Sequence, residues 1–245
     1  MKKVWIDAGH GGKDPGAVAN GLKEKDIVLS VALEIKKRLE ANYEGVQVLL
    51  SRSTDVFLEL AERTSLANKA GADILVSIHC NAGGGSGGFE TFRYIKASAA
   101  SAALQNVLHT EIIDTLNKVA VRVINRGQKT NNLHMVRESA MPAVLTENLF
   151  LDVATDAAKL KKDVVIQAII DGHVIGISKY LSLKKKESVV VNKDNKVTVY
   201  VNGKKVADGV LDAGTVQAPV RAVAEALGTV VKYNAVTKSV NITLK

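Results

Sequence analysis

Short apolar runs alternate with amphipathic segments along the first 181 residues, and this alternation limits the possible folds most strongly. Apolar runs typical of strands buried on both faces occur at residues 4–6, 46–50, 74–78 and 143–146, with a further strand expected at 88–94. Apolar residues recur at helical spacing in segments 25–41, 58–70, 104–116 and 156–181. This order predicts an α/β domain, a twisted and mostly parallel sheet flanked by helices.

The pattern changes after residues 182–190. Residues 196–201 alternate between polar and apolar side chains, and Asn202-Gly203 follows as a type I′ hairpin turn. A short helix and two more strands are expected at 220–227, 229–233 and 239–244. We therefore predict a first domain over residues 1–181, a linker over 182–190 and a small α+β domain over 191–245.

Cysteine content and charge exclude several classes of protein. Cys80 is the single cysteine of the 245 residues, which excludes a disulfide framework and a Cys-rich zinc module. Residues 182–245 carry 11 of the 33 basic residues but 5 of the 25 acidic ones. A basic second domain indicates a polyanionic partner. Arg221 is its only arginine and aromatic residues are few, which argues against nucleic acid.

No segment resembles a membrane span or a secretory signal. The most apolar stretch, residues 164–177, is interrupted by polar side chains and is shorter than the roughly 18 residues that a bilayer requires. Lys2 and Lys3 are followed at once by Asp7 and His10, with no apolar stretch of signal-peptide length. These features predict a protein that is not exported by the ordinary secretory route.

Unusual polar residues follow three of the predicted strands. His10 follows the first strand, His79 the third, and Glu147 the strand at 143–146. Parallel strands place their carboxyl ends at one sheet edge, where ligands bind. Glu24 precedes the first helix and would reach the same edge. Two histidines and a glutamate with an open position are typical of a catalytic zinc site, but spacing alone equally allows structural roles.

Several blocks of this sequence closely resemble zinc-dependent N-acetylmuramoyl-L-alanine amidases of the amidase_3 type. In chain order they are IDAGHGGKDPGA (6–17), EKD (24–26), SRSTD (51–55), LAER (60–63), AN (67–68), ADILVSIHCNA (72–82) and MPAVLTEN (141–148). The resemblance implies hydrolysis of the amide between N-acetylmuramic acid and L-alanine in peptidoglycan. It implies Zn²⁺ ligation by His10, Glu24 and His79, with Glu147 as the catalytic residue.

Residues around these positions have two interpretations each. Asn81 is a candidate for substrate binding, although a turn residue is equally expected there. Asp7 either orients His10 or is an ordinary carboxylate at a strand end. Arg52 and Arg63 are expected to form structural ion pairs. The family commonly has glycine where Leu149 stands, so the turn behind the catalytic glutamate is expected to differ.

The second domain resembles the small stalk domain named copper amine oxidase N-terminal-like. The similar segments are VYVNGK (199–204), APVRAVAEALG (218–228), VKYN (231–234) and KSVNI (238–242). No His or Cys follows His173, so copper binding is not expected. Such domains accompany Gram-positive wall enzymes, which implies binding to peptidoglycan or teichoic acid.

The combined expectation is a monomeric, phage-type endolysin. It would remain in the host cytoplasm before release to the Gram-positive wall, or be secreted if a signal segment has been removed. Neither nucleic acid nor membrane is expected as a partner. Two alternatives are a zinc peptidase that cuts within the stem peptide and a wall-binding protein without activity.

Overall fold

The computed structural model describes residues 1–119, 122–186, 196–212, 215–234 and 239–244. The chain divides into two compact units, Met1–Lys186 and Glu187–Lys245. Residues 187–190 of the predicted linker and 191–195 of the predicted second domain lie outside the described residues. Residues 182–186 belong to the first unit, where the Lys186 amide donates to the Asn42 carbonyl.

No helix of the described chain is long and apolar enough to cross a membrane.

The first unit is built on a six-stranded sheet. Its strands and a small hairpin are β1 (Lys2–Ala8), β2 (Val18–Ala19), β3 (Leu22–Lys23), β4 (Val46–Leu50), β5 (Ile74–Asn81), β6 (Phe89–Tyr94), β7 (Asn125–Asn131) and β8 (Ala143–Phe150). The sheet order is β4-β1-β5-β8-β6-β7, and β2 pairs with β3 separately. All neighbours in the large sheet are parallel except β8 and β6, which are antiparallel. The predicted mostly parallel sheet is confirmed.

Helices cover both faces of this sheet. They are α1 (Glu24–Asn42), α2 (Leu60–Ala70), α3 (Ala99–Lys118), α4 (His134–Arg137), α5 (Ala154–Leu160) and α6 (Asp163–Tyr180). The larger core joins α1, α3 and α6 to one face, and the smaller core packs α2 and α4 against the other. Neighbouring β1 residues Trp5 and Ile6 enter different cores, because successive strand side chains point to opposite faces. Burial on both faces explains the continuous apolar runs of the central strands.

One helix prediction is wrong, because the segment forms two helices and not one. Residues 156–181 were expected to form a single helix, but α5 ends at Leu160 and α6 begins at Asp163. Lys162 has extended backbone angles (φ −98°, ψ 121°), which breaks the helical hydrogen bonding between the two. The charged residues 161–163 contribute no apolar side chain that would hold a helix against the core at this point.

Strand β7 was not predicted from sequence. Its residues Asn125–Asn131 are polar throughout and lie at the edge of the sheet, beside β6. An edge strand held mainly by backbone hydrogen bonds needs no apolar periodicity, so it leaves no hydrophobic signal in the sequence.

The described residues of the second unit form two small antiparallel sheets and one helix. Its elements are β9 (Lys196–Val201), β10 (Lys204–Asp212), β11 (Thr215–Gln217), α7 (Val220–Ala226), β12 (Thr229–Asn234) and β13 (Ser239–Leu244). Strands pair in the orders β11-β10-β9 and β12-β13. Asn202 and Gly203 both have positive φ (50° and 76°), as a type I′ turn requires. The small α+β unit agrees with the predicted class.

Candidate metal centre

Three elements bring His10, Glu24 and His79 to one edge of the sheet. His10 follows β1, Glu24 is the first residue of α1, and His79 lies near the carboxyl end of β5. One donor atom from each of the three residues lies within 4.8 Å of the others. The parallel pairing of β1 with β5 explains why residues so distant in sequence converge, since both strands end at this edge.

The loop between β1 and α1 depends on glycine at two positions. A Cβ atom on Gly9 would lie 2.3 Å from His79 Cε1, so no larger residue fits beside that imidazole. A Cβ atom on Gly16 would lie 2.6 Å from both Glu24 Oε2 and His10 Cδ2, and Gly16 also has a positive φ of 64°. The loop can therefore pass close to the site only where side chains are absent.

Glu24 is the centre of the hydrogen bonding. Its Oε1 lies 3.1 Å from His10 Nε2 and 2.9 Å from His79 Nδ1. The same oxygen accepts from the Cys80 amide at 3.0 Å, and Oε2 accepts from the Ala17 amide at 2.9 Å. These contacts fix the carboxylate between the two imidazole rings, whose centroids are 4.9 Å apart.

The electrostatics of the three groups favour a cation. Burial raises the pKa of the Glu24 carboxyl, but hydrogen bonds and charges from His10 and His79 outweigh burial and hold it well below its usual range. Burial lowers the pKa of His10, yet bonding to Glu24 and Asp14 raises it to about 9. The buried carboxylate is therefore ionised and attracts positive charge, either protons on the imidazoles or a metal ion.

The donor set fits a zinc ion. Two imidazole nitrogens and a carboxylate oxygen are the protein ligands of many catalytic zinc sites. The second ring nitrogen of His10, Nδ1, lies 2.8 Å from Asp14 Oδ2. Metal-ligating histidines usually bond a carboxylate in this way, which fixes their orientation. A cavity of about 340 Å³ opens beside His10 and His79 and leaves room for a substrate.

Asp14 takes the orienting position that the sequence left open for Asp7. The Asp7 carboxylate instead accepts from Ser51 Oγ at 2.6 Å, Ser77 Oγ at 2.7 Å and Arg63 Nη1 at 2.9 Å. Burial raises the pKa of Asp7, but the charge of Arg63 and the hydroxyl hydrogen bonds outweigh it and lower the net value. Asp7 is thus a buried structural anion bound by Ser51, Ser77 and Arg63, and it does not bond the His10 ring.

Two buried arginines hold the loop that carries His10. Arg63 donates to the carbonyls of Ala8 at 2.7 Å and His10 at 2.6 Å, besides its ion pair with Asp7. Arg52 donates to the carbonyls of Ala8, Gly9 and Lys25. Arg63 forms an ion pair as expected, whereas Arg52 bonds carbonyl oxygens. Together they fix the loop that carries His10, and Arg52 also holds the start of α1.

Glu147 lies on β8, directly beside His79 on β5. Its Oε2 atom is buried and has no hydrogen-bond partner among the described residues. Burial is the main reason why the pKa of Glu147 is raised to about 7. The charges of Glu24 and Glu90 also raise this pKa, whereas the charge of His79 lowers it. A carboxyl with this pKa can both accept and donate a proton near neutral pH.

The end of β8 contains an irregularity at Leu149. Glu147 pairs with His79 but Phe150 pairs with Asn81, so β8 has one extra residue, as in a β-bulge. Leu149 has a φ of 70° and is fully buried in the larger core. Leucine at this position therefore adopts the left-handed conformation that glycine would adopt more easily.

Asn81 and Cys80 have different surroundings. Asn81 Nδ2 donates to Glu90 Oε1 at 2.7 Å, and its Oδ1 accepts from the Ala82 amide. Its proposed contact with substrate is not tested by these bonds. Cys80 is buried in the core on the other face of the sheet from His79, which agrees with an apolar structural role.

Sequence reasoning missed Glu90, whose carboxylate lies beside Glu147. The two residues are opposite each other in the antiparallel pair β6–β8. Glu90 is 3% exposed and forms ion pairs with Arg126 and Lys129 of β7. The charged residues of the polar segment 125–131 were the only sequence signal available, and that segment was not recognised as a strand.

Comparisons with known proteins agree with this geometry. Residues 4–179 match the Amidase_3 family, described as N-acetylmuramoyl-L-alanine amidase. The chain is 51% identical over 187 residues to an endolysin of Bacillus phage SPP1, covering 76% of this chain and 68% of that protein. It is 47% identical over 188 residues to the sporulation-specific N-acetylmuramoyl-L-alanine amidase of Bacillus subtilis, covering 77% and 71%.

Solved structures show the same fold over the first unit. The catalytic domain of the N-acetylmuramoyl-L-alanine amidase CwlV from Bacillus (Paenibacillus) polymyxa has a TM-score of 0.69 and 38% identity, covering 75% of this chain and all (100%) of that one. The N-acetylmuramoyl-L-alanine amidase of Clostridium difficile 630 has a TM-score of 0.69 and 34% identity, covering 74% and 97%. The family match ends at residue 179, before the second unit.

Proposed function

The chain belongs to the Amidase_3 family of N-acetylmuramoyl-L-alanine amidases, and we propose that it hydrolyses the amide bond between N-acetylmuramic acid and L-alanine in peptidoglycan. The chain is an enzyme of this class by its 47–51% identity to relatives over most of its length. The observation that carries the proposal is the convergence of His10, Glu24 and His79 at the sheet edge, next to a buried and unpartnered Glu147 oxygen.

The proposed cofactor is Zn²⁺, held by His10, Glu24 and His79. When bound, zinc supplies Lewis acidity, which makes water nucleophilic near neutral pH and polarises a carbonyl. Asp14 keeps the His10 ring in position through Nδ1, and Arg63 and Arg52 keep the loop closed behind it.

Glu147 is the proposed general base and general acid. As a carboxylate it takes a proton from the attacking water, and as an acid it gives a proton to the departing nitrogen of L-alanine. A pKa of about 7 suits both steps, because neither protonation state is costly to reach at neutral pH. The pairing of Glu147 with His79 on neighbouring strands supports a proton transfer close to one of the three proposed ligands.

The second unit is proposed as a wall-binding domain related to the stalk domain that its sequence resembles. Its partners would be peptidoglycan or teichoic acid, since residues 182–245 carry 11 basic and 5 acidic residues. An endolysin-like role, in which the enzyme lyses a Gram-positive wall, is supported by the 51% identity to the phage SPP1 endolysin. Removal of residues 188–245 should then weaken wall binding but leave cleavage of small soluble fragments unchanged. Loss of both wall binding and cleavage would contradict separate roles for the two units.

Digestion of purified Gram-positive peptidoglycan tests the activity. We expect new N-terminal L-alanine without new reducing sugar ends, abolished by a zinc chelator and restored by added zinc. New reducing ends would instead mean a glycosidase. A different new N-terminus would move the scissile bond into the stem peptide, as for a zinc peptidase. Wall binding without any cleavage would favour the non-catalytic alternative.

A further inference from the structure

The sheet face beside Glu147 carries a cluster of charged side chains on its outer strands. Glu90 is opposite Glu147 across the β6–β8 pair, so both side chains project from the same face. Arg126 and Lys129 belong to β7, the next strand outward. From β8 outward, this face therefore carries the buried carboxylate of Glu90 on β6 and then the cations Arg126 and Lys129 on β7.

The two cations are held in fixed positions. Arg126 Nε donates to Glu90 Oε2 at 2.8 Å, and Lys129 Nζ donates to the same oxygen. The Arg126 guanidinium lies 4.8 Å from the centroid of the Phe150 ring, and the Lys129 ammonium lies over the ring of Phe92. Long cationic side chains on an exposed edge strand ordinarily extend into water. Here both are drawn inward, toward the catalytic face.

Stabilising Glu90 does not require both cations. A buried carboxylate needs a charge partner and hydrogen bonds, and Arg126 together with Asn81 Nδ2 would supply them. Lys129 adds a second positive charge, so the cluster of Glu90, Arg126 and Lys129 has a net charge of +1. Arg126 Nη1 donates to the Gly87 carbonyl at 3.3 Å, whereas Arg126 Nη2 has no hydrogen-bond partner within the described part of the chain. The side chains of Arg126 and Lys129 remain 28% and 39% exposed. A positive charge with free donors therefore faces solvent near Glu147.

We propose that Arg126 and Lys129 form a subsite for a carboxylate of the stem peptide, the free α-carboxylate of its second residue. This inference rests on the proposed function. The second residue of such peptides is glutamate linked through its γ-carboxyl, which leaves the α-carboxyl either free or amidated. In an extended peptide that carboxyl carbon lies roughly 6 Å from the scissile nitrogen. Strands β8 and β7 are two spacings apart, about 10 Å, and the two cations reach back toward β8.

The subsite would distinguish a free carboxylate from its amide. The free Nη2 donors of Arg126 and the Lys129 ammonium would bind a carboxylate through its charge and its two oxygens, and an amide offers neither the charge nor the second oxygen acceptor. The enzyme should therefore prefer stem peptides whose second residue carries the free acid.

Two peptidoglycan preparations that differ only in the α-carboxylate or α-amide of the second residue test this proposal. We expect the parent enzyme to cleave the carboxylate form with a kcat/KM about tenfold higher, as expected for one charge-assisted hydrogen bond. In Arg126→Gln and Lys129→Gln this ratio should fall toward one, mainly through KM. Arg122→Gln removes a charge three residues before β7, where no ion pair with Glu90 is formed, and it should keep the parent's ratio.

The outcomes separate the subsite from the proposed function. A parent ratio of one would overturn the subsite while leaving the amidase assignment intact. An equal loss on both preparations in the two variants would mean that the cluster only supports the sheet. If neither preparation is cleaved, the proposed function fails, and sedimentation of Glu147→Gln with the two preparations decides the subsite by binding alone. Equal binding of both forms would then overturn it.

Discussion

His79 and Glu147 are directly opposite residues of the parallel strands β5 and β8. Their backbones are therefore about one strand spacing, 4.8 Å, apart, and their side chains share one face of the sheet. A proposed metal ligand and the proposed proton carrier are thus held by backbone hydrogen bonds and not by a flexible loop. Rigid placement of this kind is what proton transfer and ligand geometry require.

Replacing Glu147 with glutamine should remove most of the activity while preserving the fold. General acid–base catalysis typically contributes on the order of 10²–10⁴ in rate, so release of N-terminal L-alanine should fall by about that factor. Thermal unfolding should be unchanged or raised, because a buried carboxyl oxygen without a partner is replaced by a neutral amide. A variant that hydrolyses walls as fast as the parent would disprove the role of Glu147.

Replacing Asp14 with asparagine should weaken zinc binding. The Asp14 carboxylate lies 2.8 Å from His10 Nδ1, and loss of such a partner typically costs about 10–100-fold in metal affinity. Competition with a fluorescent zinc chelator measures this directly. Asp73→Asn is the matched control, since Asp73 bonds Lys2 and Lys3 at the amino ends of β1 and β5, whereas the ligands lie at the carboxyl ends. Equal zinc affinity in both variants would count against the orienting role.

Replacing Arg63 with methionine should destabilise the first unit strongly. Arg63 and Asp7 form an ion pair with side chains only 2% and 1% exposed, so Asp7 would be left as a buried uncompensated charge. Breaking one partner of such a pair costs about 3–5 kcal/mol of unfolding free energy, measurable by urea denaturation.

Arg38→Met is the control for that measurement. Arg38 bonds Glu34 and Asp171 with its side chain 23% exposed, and surface pairs contribute about 0–1 kcal/mol. If both variants lose a similar free energy of unfolding, the buried pair of Arg63 and Asp7 contributes no more to stability than a surface ion pair.

The contribution of His173 to stability should decline below pH 6.5, whereas Glu147, whose pKa is raised to about 7, contributes in the opposite direction between about pH 7 and 4.5. Burial, only partly opposed by the hydrogen bond to the Ile169 carbonyl, lowers the pKa of His173 to about 4. The His173 side chain binds a proton at higher pH in the unfolded state than in the folded state, so its contribution to stability is complete above about pH 6.5 and declines between pH 6.5 and 4. The total contribution is about 3 kcal/mol.

Denaturant titrations of the parent and of His173→Gln between pH 4 and 8 check this. Glutamine removes the titrating group, so the difference in unfolding free energy between the parent and His173→Gln should change by about 3 kcal/mol between pH 6.5 and 4, in the direction that favours the variant at low pH. The same slope in both proteins would assign the acid sensitivity to other groups.

Much of the first unit was predictable because its central strands are buried on both faces. Residues 46–50 were predicted as a strand and form β4 with the same limits, and the residues Val28, Ala32, Ile35 and Leu39 are all buried on α1. Gly71 ends α2 in the left-handed conformation, as its position after the apolar periodicity indicates. In these cases the sequence periodicity predicts the structure well, because apolar residues repeat along the chain where their side chains are removed from water.

The sequence by itself determined that His10, His79 and Glu147 follow or end predicted strands and that Glu24 begins the first helix, which predicted one shared edge for the four residues. Only the tertiary structure decided that Asp14 and not Asp7 faces His10, and that Glu90, Arg126 and Lys129 form a cluster beside Glu147. The reason is physical. Hydrophobic burial is periodic along the chain and can be read locally, whereas ion pairs and hydrogen bonds join residues that only strand order and register bring together.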